Sequence, residues 1–195
     1  MTENYESFPY GFHALAEPLS KIPDQAVDTV LGIYDENYGM FIYQGAQFLK
    51  NIFPDFPKPF EHKLIQLAQT GDEKNLLFVM AVLRNYEGQE FLHEVCKELV
   101  KVLPDTESPD SESLLSEIYI ILLSTGIVSG AYGFVEAYQS KIKEVQSWLS
   151  DPNEKIQKFA QNYISGLEKR IEAEKQRADE DIMLRKHRYG ADDEE

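Results

Sequence analysis

Hydrophobic side chains recur every three to four positions along most of the chain, which is the spacing of residues that share one face of an α-helix. Prolines, glycines and acidic turns interrupt this pattern and mark the ends of the predicted elements. The strict alternation that would indicate a half-buried strand is essentially absent, so the pattern predicts an all-α fold. The predicted helices cover about residues 24–36, 38–53, 60–69, 72–85, 89–103, 110–124, 128–149 and 154–189.

The last predicted helix is much longer than the others, and the sequence marks both of its ends. Asp151 is a suitable N-cap, and Pro152 lies where its missing N–H costs nothing. Gly190 can adopt the left-handed conformation that ends many helices. At roughly 1.5 Å per residue this helix would be about 50 Å long, too long to pack wholly against one small domain.

The apolar stripe of this long helix is full in its first half and sparse in its second. As far as Ile171 the apolar positions form a continuous core-facing stripe. Beyond it the stripe thins to Ala178, Ile182 and Tyr189, among charged residues that can pair along the helix surface. We therefore expect the first half to pack on the domain and residues 172–190 to project and meet another chain.

The end of the long helix is the main candidate for a partner-binding surface. Its basic residues could contact an acidic partner or nucleic acid, although basic residues at a helix C-terminus also complement the helix dipole. Trp148 is a candidate anchor because tryptophan is enriched in interface hot spots, but aromatic residues at helical spacing more often lie in a core. The candidate partner-binding residues are Trp148, Ala178, Ile182, Arg185, Lys186, Arg188 and Tyr189.

The chain of 195 residues is strongly acidic, with a formal net charge of −15. This charge disfavours binding to duplex nucleic acid or to an anionic membrane, because both need a basic surface. The single cysteine, Cys96, excludes an internal disulfide and a multi-cysteine metal site, which fits a reducing compartment. The first residues carry no basic and apolar export signal, so we expect a cytoplasmic protein.

Two segments resemble HEAT repeats, in which pairs of helices stack into a curved solenoid. Residues 71–104 contain a nearly all-apolar helix, a Tyr-Glu-Gly turn and a second, amphipathic helix. Residues 148–167 contain an Asp-Pro turn before a helix with small and apolar positions on one side. The spacing between these units is irregular, unlike that of a well-kept repeat. The resemblance implies antiparallel helical pairs stacked as a short α-solenoid that binds a partner, and it implies no particular reaction.

An uncharged run at residues 118–135 offers a different interpretation, a membrane span. Gly126 and Gly130 have the small-xxx-small spacing of paired membrane helices. However, the run is at the short limit for a span, and the acidic residues Glu117 and Glu136 flank it where basic anchors would be expected. We favour two buried helices that meet at residues 124–126.

Candidate catalytic and metal-binding residues are few. Glu90 and His93 have the Glu-x-x-His spacing of di-iron bundles, but neither a second such motif nor a zinc-protease motif accompanies them. Cys96 lies among apolar residues, where an inert thiol is usual. Glu117 and Glu136 border the most apolar run and could act as an acid or base, or bond a nearby tyrosine. Because nucleotide-binding and nucleophile-elbow motifs are also absent, we expect no catalytic site, no metal and no cofactor.

These patterns together predict a non-enzymatic scaffold or adaptor that binds a protein partner, or a second copy of the chain, through the solenoid surface and the C-terminal helix. The expected organisation is an irregular segment (1–23), a helical repeat domain (24–171), a projecting helix end (172–190) and an acidic tail (191–195). One alternative is a sensor or regulatory subunit of a larger bacterial NTPase assembly. Another is a HEAT-like nucleic-acid enzyme such as a DNA glycosylase, which the acidic charge disfavours.

Overall fold

The computed structural model describes residues 16–36, 45–86, 88–103 and 109–189, apart from the side chains of residues 33–36, 109–112 and 189. Most of these residues are helical, and the four ranges contain no β-strand, so the predicted all-α fold is confirmed. Much of the predicted N-terminal segment, the start of the predicted helix 38–53 and the acidic tail lie outside the described residues.

The main helices of the described ranges are labelled α1 to α8 in chain order. They are α1 (Pro23–Glu36), α2 (Ala46–Ile52), α3 (Lys58–Gln69), α4 (Glu73–Leu83), α5 (His93–Val102), α6 (Pro109–Leu123), α7 (Gly133–Val145) and α8 (Glu154–Tyr189). Short 3₁₀ turns at Arg84–Tyr86, Glu90–Leu92 and Gln146–Ser150 adjoin α4, α5 and α7.

The turn between α3 and α4 shows how the sequence sets helix ends. The hydroxyl of Thr70 donates a hydrogen bond to the carbonyl of Leu67 at 2.7 Å, where α3 ends. Gly71 follows with a φ of +66°, which glycine adopts without a Cβ penalty. Asp72 then caps α4, because its carboxylate accepts a hydrogen bond from the backbone N–H of Asn75 at 3.1 Å.

The chain divides into two compact units, Met1–Ile121 and Leu122–Glu195. In the first unit α3 contacts α1, α4 and α5, while α2 contacts α1 and α4. Helix α4 is apolar on nearly all sides and is accordingly buried among its neighbours. Its buried residues are Leu76, Phe78, Val79, Met80, Val82 and Leu83.

An aromatic cluster joins the segments around the break between α2 and α3. The rings of Phe53 and Phe60 stack with their centroids 4.3 Å apart. Phe56 meets Phe60 and Tyr86 edge-on, at 5.2 Å and 4.9 Å, and stacks on Phe91 at 5.0 Å. Its φ of +48° is unfavourable for a bulky residue, so the packing of its ring holds the backbone in that conformation.

In the second unit, α7 and the 3₁₀ turn Gln146–Ser150 pack against α8. Trp148 lies in this turn, and its ring centroid is 6.2 Å from that of Phe159 on α8. Phe159 in turn stacks on Tyr163 at 6.1 Å. The first turns of α8 therefore contribute to the core of this unit, and α8 begins at Glu154, as the sequence predicted.

Two polar side chains accept hydrogen bonds from backbone N–H groups at the start of α8. The carboxylate of Asp151, the expected N-cap, accepts a hydrogen bond from the backbone N–H of Asn153 at 3.0 Å. The side-chain oxygen of Asn153 accepts from the backbone N–H of Lys155 at 2.9 Å. Asn153, rather than Asp151, thus satisfies a donor in the first turn of the helix.

Helix α7 starts at Gly133, five residues later than the predicted helix 128–149. The preceding residues 124–132 are not helical. Gly130 has a φ of +89°, which a helix cannot contain, and a Cβ on Gly133 would lie 2.6 Å from Cγ1 of Val128. Glycines at these positions therefore serve a tight turn that hydrophobic periodicity does not reveal.

This turn also interrupts the uncharged run at residues 118–135 that suggested a membrane span. The run is divided between the end of α6, the non-helical residues 124–132 and the start of α7. Among the helices of the described ranges, none combines the length and the apolar character that crossing a bilayer requires.

Candidate protein-interaction surface

Two of the predicted partner-binding residues are buried. Trp148 has an exposed fraction of 1% and packs in the core of the second unit, so it is not an accessible anchor. Ala178 has an exposed fraction of 4%. The surroundings of Trp148 fit the other interpretation, that of an aromatic residue in the core.

A hydrogen bond between Tyr132 and Asp179 shows how far α8 remains in contact with the start of α7. The hydroxyl of Tyr132, directly before α7, donates to Oδ1 of Asp179. This bond raises the pKa of Tyr132, because an ionised ring could not donate and would face a carboxylate. Asp179 lies about two helical turns beyond Ile171, so packed contacts extend into the part of the helix that was expected to project.

Beyond Asp179 none of the described side chains of α8 is buried. Ile182 is half-buried, and the side chains of Arg185, Lys186 and Arg188 are exposed. The side chain of Tyr189 lies outside the described residues. The basic candidates are thus accessible together, within one turn of the helix.

Met183 and Leu184, which are absent from the predicted set, are the most prominent apolar side chains of this part. Their exposed fractions are 70% and 66%. Successive helical positions are separated by about 100°, so Ile182, Met183 and Leu184 cannot all face one core. Three consecutive apolar residues in a charged segment therefore indicate that at least one of them is exposed to solvent. The search for residues on one helix face selected only Ile182 and missed this signal.

The charges of α8 change sign across these apolar residues. Asp179, Glu180 and Asp181 precede them, and Arg185, Lys186, His187 and Arg188 follow them. The basic residues complement the negative end of the helix dipole, which stabilises the last turns. We refer to residues 179–188 as the α8 terminal segment: an acidic turn, an apolar centre and a basic turn.

The two glutamates that border the uncharged run differ in their surroundings. Glu117 makes a two-pronged ion pair with Arg84, in which Nε of Arg84 lies 2.8 Å from Oε1 and the guanidinium also meets Oε2. Such a fork-to-fork pair gives Glu117 a structural role. Glu136 lies in the first turn of α7 and is exposed, where a carboxylate favours the positive end of the helix dipole.

The residues considered for metal and thiol chemistry are not assembled into a site. Glu90 is exposed in a 3₁₀ turn, whereas His93 is buried with an exposed fraction of 7% at the start of α5. Within the described ranges no three His, Cys, Asp or Glu side chains are grouped closely enough to hold a metal ion. Cys96 is fully buried in the first unit, at 0% exposure.

Comparison with known proteins gives no relative. No family model matches the chain, and no curated protein and no solved structure is significantly similar to it. The resemblance to HEAT repeats therefore rests on the sequence pattern described above.

Proposed function

We propose that this protein is a non-enzymatic interaction module that binds a protein partner through the α8 terminal segment. The observation that carries the proposal is the exposure of Met183 and Leu184, at 70% and 66%, beside the basic residues Arg185 and Lys186. An apolar centre with a charged border is typical of a protein-binding surface.

The pattern of helix contacts supports a scaffold architecture. In the first unit α1, α3 and α5 contact one another in sequence, and α2 contacts α4, as two rows of stacked helices would. In the second unit Tyr132, directly before α7, meets Asp179 late in α8, while Trp148, in the turn after α7, meets Phe159 early in α8. We infer antiparallel pairing of α7 and α8 and an α-solenoid arrangement within the first unit.

The size of the apolar centre restricts the chemistry of the partner. Fully burying a Met or Leu side chain contributes about 1.5–3 kcal/mol, so this partly exposed pair offers roughly 2–4 kcal/mol. A micromolar complex needs about 8 kcal/mol. The partner must therefore add ion pairs, which points to a surface that carries both apolar side chains and carboxylates facing Arg185, Lys186 and Arg188.

Site-specific photo-crosslinking in the native cells tests this proposal. A photoreactive phenylalanine replaces Leu184 in one variant and Gln161, an exposed residue earlier on α8, in the control. We expect a protein adduct from position 184 and none from position 161, with the crosslinked peptide identified by mass spectrometry. The absence of an adduct at 184, or equal adducts at both positions, would contradict the proposal.

A further inference from the structure

We propose that the partner of the α8 terminal segment is the same segment of a second copy of this chain, bound antiparallel about a two-fold axis near Ile182 and Met183. This inference rests on the proposed function and specifies its partner. The segment itself supplies the chemistry that the partner must have, namely apolar side chains next to carboxylates.

The order of charges along the segment determines the orientation. The acidic turn formed by Asp179, Glu180 and Asp181 precedes the apolar centre, and the basic turn from Arg185 to Arg188 follows it. In an antiparallel pair each basic turn lies beside the acidic turn of the other copy. In an in-register parallel pair, like charges face each other, which is destabilising.

Lys186 and Arg188 border the helix face that carries the apolar centre, because they follow Met183 and Leu184 by three and four residues, whereas Arg185 points about 200° away from Met183. Glu180, Met183 and His187 follow the steps of three and four residues that define one helix face, and Leu184 lies beside it. Two-fold symmetry forms every contact twice, so Met183 and Leu184 of both copies cover one another at the centre. The exposed fractions of 70% and 66% show that the described residues of the chain leave most of both side chains uncovered.

The overlap is short, and this sets the strength of the association. Ten helical residues span about 15 Å. A contact of this length buries less surface than the roughly 800 Å² per partner of a standard protein–protein interface. The net charge of −15 also makes two copies repel at long range. We therefore expect a monomer–dimer equilibrium in the micromolar range or weaker, observed as a rise in mass with protein concentration.

Charge exchange within the segment tests the antiparallel pair. The variants are Glu180→Lys with Asp181→Lys, Lys186→Glu with Arg188→Glu, and all four substitutions together. Sedimentation equilibrium of the full chain at physiological salt should show each two-site variant dimerising at least about tenfold more weakly, since each change removes symmetric ion pairs and adds repulsion. The four-site variant keeps the net charge of −15 and should recover the affinity of the original chain.

Cysteine crosslinking tests the orientation without altering charge. Because Cys96 is fully buried, an introduced cysteine is the accessible one in the native protein. Met183→Cys lies near the proposed axis and should form a disulfide dimer on mild oxidation, while His187→Cys should remain monomeric. Crosslinking of both would indicate parallel helices and overturn the proposal, as would crosslinking of neither.

The outcomes separate this inference from the proposed function. A chain that stays monomeric up to millimolar concentration, or a four-site variant that is helical by circular dichroism yet fails to recover association, overturns the self-pairing. If the photoreactive residue at position 184 then captures a different protein, the proposed function stands without the self-pairing. If it captures nothing, both are overturned. Capture of the chain itself supports both.

Discussion

At the residue scale, Tyr86 connects several segments of the first unit through one buried side chain. Its hydroxyl donates to the carbonyl of Phe53 at 3.0 Å, and its ring packs against Phe56 at 4.9 Å. The amino group of Lys50 lies 5.8 Å from the centre of the ring. Burial raises the pKa of Tyr86 well above its ordinary value, because ionisation would place a charge away from water.

Tyr86→Phe should lower the free energy of unfolding by about 1 kcal/mol at neutral pH, since the carbonyl of Phe53 loses the hydroxyl of Tyr86 and keeps only the N–H of Phe56 as a donor. The raised pKa also has a consequence at alkaline pH. The folded state keeps the phenolic proton that the unfolded state releases above about pH 10, so stability falls as the pH rises above that value. The variant lacks this proton and should lose less stability there.

Urea unfolding followed by circular dichroism, at neutral pH and at several values above pH 10, measures both effects. Tyr138→Phe is a matched control, because Tyr138 is only half-buried at the surface of the second unit. A Tyr86→Phe variant as stable as the original chain would show that the buried hydroxyl bond contributes nothing.

The candidate site was predictable only in part at this scale. Arg185, Lys186 and Arg188 are exposed as a basic helix end suggests, because the local sequence alone determines that a charged terminal turn meets water. The burial of Trp148 and the bond between Tyr132 and Asp179 depend on residues far apart in sequence. The periodicity of a single sequence carries no information on such contacts. The projecting end of α8 was therefore predicted to begin directly after Ile171, although contacts with the rest of the unit continue to Asp179.

At the scale of elements, hydrophobic periodicity predicted the positions of the helices. The predicted and observed helix limits differ mainly at the turns. Helices α3 to α6 begin and end within a few residues of their predicted limits, because Gly71, Asp72 and the prolines near α3 give strong local signals. Helix α7 begins late because its turn depends on a left-handed Gly130 and on the approach of Val128 to Gly133. Glycines serve many purposes, so their presence alone did not identify this turn.

Gly130→Ala should destabilise the second unit by about 1–2 kcal/mol, because alanine tolerates the left-handed region poorly. A Cβ at Gly130 would meet no atom within 4 Å, so the effect comes from the backbone alone. Gly32→Ala in α1 is the matched control: a Cβ there also meets nothing within 4 Å, but the backbone is helical. Alanine at that position should stabilise the protein by about 0.5–1 kcal/mol.

Thermal and urea unfolding of the two glycine variants measure opposite shifts. Equal stability of both variants, or a stabilising effect of alanine at position 130, would contradict the assignment of a left-handed turn before α7.

At the scale of the whole molecule, the all-α class was predictable and the division into two compact units was not. Fold class follows from the period of the hydrophobic pattern, which is local. The boundary near residues 121–122 depends on how contacts between residues distant in sequence are distributed. It falls inside α6, where the hydrophobic pattern of the sequence is continuous. The solenoid arrangement remains a proposal, supported by the order of helix contacts in the first unit.

Two truncations separate the packed part of α8 from its terminal segment. A chain ending after Asp181 keeps the buried Ala178 and the bond from Tyr132 to Asp179, so its unfolding midpoint should stay within a few degrees of the original. A chain ending after Ile171 loses both and should unfold at clearly lower temperature. Differential scanning calorimetry distinguishes the two, and equal midpoints would show that residues 172–181 add nothing to the fold.

The only cysteine and the only tryptophan of the chain lie in different units, and both are buried. Cys96 belongs to the first unit and Trp148 to the second, with exposed fractions of 0% and 1%. The unmodified protein therefore carries one natural reporter for each half. The rate of thiol labelling reports opening of the first unit, and indole fluorescence reports loss of the core beneath α8. Coincident transitions would mean that a single cooperative event unfolds both halves, whereas separate transitions would give each unit its own measurable stability.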